Sequence, residues 1–249
     1  PDKLSEFLLD NAIMKSDDRC YNKKTGRMIT ACVPMHTLGH PVRIDQIIEI
    51  CAKYHIPVIE DAAEALGSFY KGQHAGTFGL LGILSFNGNK PVTTGGGGMI
   101  ITNDEQLATK AKHLTTTAKM PHPWEFVHDM VGYNYRMPNI NAAVGCAQME
   151  RFADVLENKR ATAHKYKNFF DEIGVSFVVE PANSQSNYWL NSIILKDRQV
   201  RDQFLAYAAD NGVQARPVWT LMNKLPMFIQ CQSAPIDVAQ WLEDCLINI

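Results

Sequence analysis

The sequence has no apolar run long enough to cross a bilayer, no block of Lys and Arg, and no cysteine pair in CxxC spacing. Each absence removes a class of function. A chain with no spanning run is not expected to sit within a membrane. With 24 basic and 26 acidic residues among 249, the formal charge is −2, so the clustered positive charge that nucleic acids and anionic membranes recognise is missing. Cys20, Cys32, Cys51, Cys146, Cys231 and Cys245 fall at irregular spacing, which suggests neither a zinc ribbon nor a disulfide framework and suits a reducing compartment, the cytoplasm. Neither GxxxxGK[ST], nor a GxGxxG opening a helix, nor GxSxG occurs, so a P-loop, a dinucleotide fingerprint and a hydrolase nucleophile elbow are not indicated. His36 and His40 are four apart, but Gly39 and Pro41 deny them a regular helix; His122 and His128 have no carboxylate at recognisable spacing. No metal site is expected. There is also no initiator Met before Pro1 and no charged-then-apolar leader, and the chain reads as a piece of something longer.

What is present is a globular composition, 46% hydrophobic and 20% charged, enough for one large or two modest domains. Helical spacing of Leu4, Phe7 and Leu8 predicts a helix over 4–12. The apolar run MITACVPMH, the amphipathic RIDQIIEICAKYH with Ile44, Ile47, Ile48 and Cys51 on one face, and IPVIED read as strand, helix and strand. That order makes a βαβ unit and predicts an α/β fold with a parallel sheet covered by helices. GILSFN and GMIIT are two further strands, EQLATKAKHL is a helix, and one long helix is predicted from about 139 to 172, stopped by Gly174. VSFVV and NYWLNSIIL read as strands, 198–211 as a helix, and WLEDCLINI as a helix that closes the chain. Smaller alternating units in this half predict a second α/β domain, giving residues 1–160 as a large domain and 161–249 as a small one.

Three segments carry candidate chemistry. Glu60-Asp61-Ala62-Ala63-Glu64 follows the strand VIE, where acids at the carboxyl end of a parallel strand can reach a ligand; they can equally be solvated acids that cap a helix after the strand. Ser85 to Gly98 follows another strand. Its four glycines offer N–H groups to a phosphate or simply turn the chain, and Lys90 is either a surface charge or an amine nucleophile of lowered pKa. Gly132 to Pro138 places Asn134 and Arg136 at a helix entrance, a place suited to an anion, or merely packs its tyrosines on a neighbour.

Taken together, VIEDAAEALGSFYKG, GTFG, SFNGNKPVTTGGGGMIITND and GYNYRMPNINAAVGCAQMERF resemble the DegT/DnrJ/EryC1/StrS family of pyridoxal-phosphate-dependent nucleotide-sugar aminotransferases. HLTTTAKMPHPWEFVHD, SNYWLN and RPVWTLM resemble more narrowly its LegC-like branch. The resemblance implies fold type I of the pyridoxal phosphate (PLP) transferases, aspartate aminotransferase-like, with an incomplete large domain and a smaller C-terminal α/β domain. It implies PLP as cofactor, an amino-acid donor such as glutamate, and a UDP-linked 4-keto-6-deoxy-N-acetyl sugar as acceptor, on the way to legionaminic-acid or bacillosamine-type glycans. Lys90 then matches the Schiff-base lysine, Asp61 the partner of the pyridine nitrogen, and Ser85 a phosphate ligand. Ala63 falls where a small side chain packs on the ring, and Glu64 where a polar group approaches the phenolic oxygen. Asn134 matches an asparagine that reaches the phosphate held by the other subunit of a homodimer, and Arg136 is a candidate for the substrate diphosphate. Many relatives have Gln or His at the position of Glu64 and TGEGG where this chain has Thr94 to Gly98. A carboxylate there is expected to be protonated or turned towards substrate. The resemblance also implies an upstream segment that supplies the first strands, a Gly-Thr phosphate loop and a ring-stacking aromatic. Two alternatives remain beside transamination: a same-fold sugar dehydratase, which replaces the lysine with histidine, and a non-catalytic nucleotide-sugar-binding or assembly module.

Overall fold

Ile44, Ile47 and Cys51 repeat at helical spacing, and in a computed structural model of the protein, which describes residues 1–249, they form the buried stripe of a helix. In chain order the elements are α1 (Asp2–Asn11), β1 (Ala12–Met14), β2 (Cys20–Asn22), α2 (Ile44–Ala52), β3 (Ile59–Asp61), β4 (Phe69–Tyr70), β5 (Gln73–His74), β6 (Leu81–Ser85), β7 (Gly98–Ile101) and α3 (Glu105–Thr115). They continue with α4 (Asn139–Glu150), α5 (Phe152–Glu172), β8 (Ser176–Phe177), β9 (Ser184–Gln185), β10 (Ser192–Ile194), α6 (Arg198–Asp210), β11 (Arg216–Pro217), α7 (Asp237–Cys245) and β12 (Leu246–Asn248). Two compact units contain them. The first is Pro1–Asn158 with Pro181–Trp189, and the second is Lys159–Glu180 with Leu190–Ile249.

In the first unit β3 pairs parallel with β6, Asp61 opposite Ile83, and β6 pairs antiparallel with β7, Ser85 opposite Gly98. Parallel pairing brings the carboxyl ends of β3 and β6 to the same edge of the sheet. Residues 32–35 add a further parallel run beside β3, through bridges Cys32 to Val58 and Met35 to Asp61. The predicted strand over 28–36 is thus a pair of bridges and not a continuous ladder, because Pro34 has no N–H to give. One core cluster is built from Leu8, Cys20, Ile44, Ile47, Cys51, Ile56 and Val58; a second from Ala62, Ala65, Ala75, Leu84, Phe86 and Val92. Small residues in the second let the turn after Ala75 lie directly on the sheet. A Cβ added at Gly82 would sit 1.9 Å from the carbonyl oxygen of Gly76.

The second unit is an antiparallel sheet in the order β11-β12-β10-β8, with Ile193 and Ile247 opposite one another and fully buried. Asp197 caps α6 by accepting the N–H of Val200 at 2.9 Å. The ring of Phe170 on α5 stacks on that of Phe177, centroids 6.5 Å apart.

Three expectations need correction. The single helix over 139–172 is two helices, because Arg151 leaves helical geometry at φ −107°, ψ 4°; the break is followed at once by Phe152, which packs against the Ala62 and Ala65 cluster. The strand read over NYWLNSIIL is confined to 192–194, since Asn187 and Tyr188 are buried in irregular backbone tied by side-chain hydrogen bonds. Finally, WLEDCLINI is helix only as far as Cys245. Leu246 turns extended, at φ −92°, ψ 135°, and the last residues pair with β10 and β11.

Candidate functional site

β3 ends at Asp61 and β6 at Ser85, so both side chains stand at the carboxyl edge, where parallel sheets bind ligands. Immediately after β3 the chain turns: the Asp61 carboxylate accepts the N–H of Ala63 at 3.1 Å, and Ala65 N–H donates to the Ala62 carbonyl. This turn leaves Ala63 half-buried and carries Glu64 round to the same edge. After β6 the chain closes a loop on itself through Phe86 N–H to Gly97 and Thr94 N–H to Phe86. Gly95 and Gly97 take φ of +79° and +115°, a region that glycine enters without steric cost. Of the two readings of the glycine run, the turn is the one the backbone displays. Within this loop Lys90 N–H donates to the Asn87 carbonyl at 3.0 Å, and the Ser85 hydroxyl accepts Asn87 N–H at 3.3 Å.

Lys90 is folded inward. Its side chain is only 11% exposed, and Nζ lies 3.8 Å from Oε1 of Glu64 and 3.8 Å from the centre of the Trp189 ring. Burial pushes the Lys90 ammonium below the ordinary lysine value, while the carboxylates of Glu64 and Asp61 oppose that fall. Burial likewise pushes the Glu64 carboxyl up, against the Leu38 N–H and the Lys90 charge, with Asp61 adding to the rise. The pair is therefore an amine and an acid that are both poorly hydrated, each shift by burial partly offset by the other's charge.

The surroundings of this pair hold it from several sides. Leu38 adopts a left-handed φ of +61°, a conformation costing a non-glycine residue about 1–2 kcal/mol, and its N–H donates to Oε2 of Glu64 at 2.6 Å. Asn187, fully buried, donates to the carbonyls of Glu64 and Leu66 and accepts the N–H of Trp189 at 2.8 Å. Trp189 Nε1 donates to the Asn89 carbonyl at 2.8 Å, next to Lys90 itself. Neither spacing nor residue type marks Asn187 or Trp189 as a site residue. The one sequence signal is the adjacent Asn-Tyr-Trp triplet, which a strand reading of that segment absorbs.

The other candidates are elsewhere. Asn134 is exposed and paired through a bridge to Thr116, and Arg136 Nη2 donates to the Thr116 carbonyl at 3.5 Å. Tyr133 and Tyr135 stack on each other, centroids 5.1 Å apart. This segment lies against the end of α3, with Tyr133 and Tyr135 N–H groups donating to the carbonyls of Leu114 and Thr115. Glu60, the first acid of the cluster, faces away from the site: it is fully buried and accepts from His36 Nε2 at 3.0 Å, from Gly76 N–H at 2.8 Å and from Phe78 and Gly79 N–H at 2.7 Å each. His36 is thus the partner of a carboxylate. All six cysteines are free thiols, and no helix is long and apolar enough to cross a membrane.

The α/β fold with mixed sheets is that of the fold type I PLP-dependent transferases, and Asp61 and the loop of Lys90 lie at adjacent carboxyl ends of its sheet. The chain belongs to the DegT/DnrJ/EryC1/StrS aminotransferase family, whose pattern matches residues 18–249; aminotransferases of this family depend on PLP. It is 40% identical over 207 residues to EpsN of Bacillus subtilis (strain 168), named a pyridoxal phosphate-dependent aminotransferase; the match covers 83% of this chain and 53% of EpsN. It is 36% identical over 219 residues to GDP-perosamine synthase of Escherichia coli O157:H7, covering 88% of this chain and 60% of that protein. Among solved structures, the aminotransferase TlmJ from Streptoalloteichus hindustanus superposes with a TM-score of 0.83 at 25% identity, over 88% of this chain and 60% of TlmJ. The chain therefore spans a little over half the length of these relatives.

Proposed function

We propose that this protein is a PLP-dependent aminotransferase that moves an amino group from an amino acid, glutamate, to the 4-keto group of a nucleotide-linked 4-keto-6-deoxy sugar. The observation that carries the reading is Lys90: a poorly hydrated amine at the carboxyl end of β6, beside an aspartate at the end of β3. These groups fit a bound PLP. When bound, PLP supplies an electron sink for the carbon that carries the amine.

Each role belongs to a residue of this chain. Lys90 is the amine that would hold the cofactor and move a proton beside it. Asp61 holds the proton on the ring nitrogen, as a carboxylate does for a neighbouring cation. Ser85 and nearby backbone N–H groups bind the phosphate, as neutral donors suit a dianion. Ala63 would pack on the ring, and Glu64 would hold its phenolic side. Asn134, exposed and away from Lys90 in its own chain, reaches the phosphate in a second copy, so the active unit is a homodimer; Arg136 binds the substrate diphosphate. Residues 1–160 carry the cofactor and residues 161–249 form the smaller domain, with 181–189 contributing to the first.

For the acceptor, the name of the GDP-perosamine synthase relative supports a nucleotide-linked amino sugar product. The LegC-like segments over 113–129, 186–191 and 216–222 favour a UDP-linked N-acetylated sugar and a cytoplasmic step in legionaminic-acid or bacillosamine-type glycan synthesis. Lys90 itself speaks against the dehydratase alternative.

The test is a visible spectrum of the purified protein with PLP, before and after borohydride, followed by peptide mapping. A visible band that borohydride bleaches, with the reduced label on Lys90 and none in Lys90→Ala, is expected. Label spread over other lysines, or Lys90→Ala turning over at the wild-type rate without added amine, refutes the reading.

A further inference from the structure

Lys90 is enclosed on two sides by groups that suit an ammonium ion better than a neutral amine. Oε1 of Glu64 is 3.8 Å from Nζ, and the π face of Trp189 is 3.8 Å away at its centroid. An indole face at that distance attracts a cation, and a carboxylate does so more strongly. Both groups are fixed by other bonds: Glu64 by the Leu38 N–H, Trp189 by Asn89 and Asn187. Asn187 joins the two, since its amide also holds the Glu64 carbonyl. Glu64 and Trp189 are thus held in place by bonds that do not involve Lys90.

Resting for its purpose on the aminotransferase reading, we infer that Glu64 and Trp189 are positioning residues that form a holding site for the unattached Lys90 side chain, keeping it as an ammonium within reach of the sheet edge. A lysine that has released its partner carbon would otherwise regain the freedom of four rotatable bonds. Held here, it stays within reach of the Asp61 charge. The charged groups that act on it are Glu64 and Asp61, and burial opposes both.

The experiment follows reductive methylation of Lys90 by formaldehyde and cyanoborohydride in cofactor-free protein, as a function of pH, by peptide mass mapping. Only the neutral amine reacts. Removing the opposite charge of Glu64 lowers the pKa of its partner, so Glu64→Gln is expected to label Lys90 about tenfold faster at pH 7.5, with a midpoint shifted down. Trp189→Phe, which keeps a weaker ring face, shifts it the same way by less. In wild type the indole emission should step at the same midpoint as the labelling, and that step should vanish in Lys90→Met. Should the variants fail to fold, the coincidence of midpoints in wild type decides alone. Unchanged labelling in Glu64→Gln, or an emission step that does not track Lys90, overturns the inference. If the labelling shifts as expected but PLP and borohydride never mark Lys90, the holding site stands and the aminotransferase reading fails instead.

Discussion

Replacing Glu60 by Gln changes one oxygen to an amide nitrogen in a fully buried position, and the structure gives the cost. Oε1 receives the N–H groups of Phe78 and Gly79; Oε2 receives Gly76 N–H and His36 Nε2. His36 Nδ1 accepts the Val42 N–H at 3.2 Å, so the ring proton sits on Nε2 and all four partners of Glu60 are donors. A glutamine amide can serve only one end. Whichever way it is turned, its NH2 faces two donors, and each buried donor left without an acceptor costs about 1–3 kcal/mol. Glu60→Gln is therefore expected to lose about 2–5 kcal/mol, read from the urea midpoint at unchanged slope. The pH dependence supplies a second reading. Burial, the largest influence, would raise the Glu60 carboxyl, but His36 and the amides of Gly79 and Gly76 outweigh it and hold it below its ordinary 4.5. A carboxyl lowered on folding stabilises fully above the unfolded value and loses that contribution as the pH falls through the folded one. The gap between wild type and Glu60→Gln should accordingly be widest near neutral pH and narrow below about pH 4.5. A loss under about 0.5 kcal/mol at pH 7, or a gap that widens on acidification, would refute the four-donor argument.

Two further substitutions test the packing. Gly82→Ala sets a Cβ 1.9 Å from the Gly76 carbonyl oxygen and 2.7 Å from its carbon, a backbone clash no rotamer can relieve; a loss of about 3 kcal/mol is expected in thermal melts, against no comparable loss in Gly88→Ala, whose added Cβ meets nothing within 4 Å. In the second unit, Asp197→Ala removes the acceptor of the Val200 N–H at the start of α6 and should cost about 1 kcal/mol, with Asp197→Asn recovering most of it.

The parts of the fold that were legible in the sequence are those decided by local pattern. The stripe of Ile44, Ile47 and Cys51 makes α2 wherever the rest of the chain goes, and the apolar runs ending at Asp61 and Ser85 make strands whose exits face the same way. Motif resemblance then pointed to Lys90 and Asp61 as candidates, because a family's chemistry fixes residue types at fixed spacing, and the structure places both at one edge of the sheet. Where tertiary contacts overrode the local pattern, the sequence misled. Helical propensity continues through Arg151, yet the chain breaks there and Phe152 enters the core. Asn187, Tyr188 and Trp189 look like strand residues but are bound in place by Ser68, Glu64, Leu66 and Asn89, residues about 100 or more positions away. No window of sequence contains such a contact, so Trp189 could not be assigned to the site from its neighbours alone.

The acids at the end of β3 show how little residue type decides by itself. Glu60, Asp61 and Glu64 lie within five positions, and in isolation each is an equal candidate. In a strand, successive side chains point to opposite faces, so Glu60 is driven into the turn over 76–79, where three N–H groups converge on it, and Asp61 is left half-buried at the sheet edge. The chain then turns through Ala62 and Ala65, which are buried without any exposed surface, and this tight seating brings Glu64 back to Lys90. Pleat and turn thus give three like carboxylates three distinct surroundings: one has its charge consumed by structural donors, one stands half-buried at the sheet edge with a single backbone N–H on it, and one is set against an amine. The difference predicts different responses to removal of charge. Glu60→Gln should appear as lost stability with Lys90 labelling of the folded protein unaltered, whereas Glu64→Gln should appear as altered labelling; an equal effect of both on either readout would mean that the two acids are not separated as the strand geometry requires.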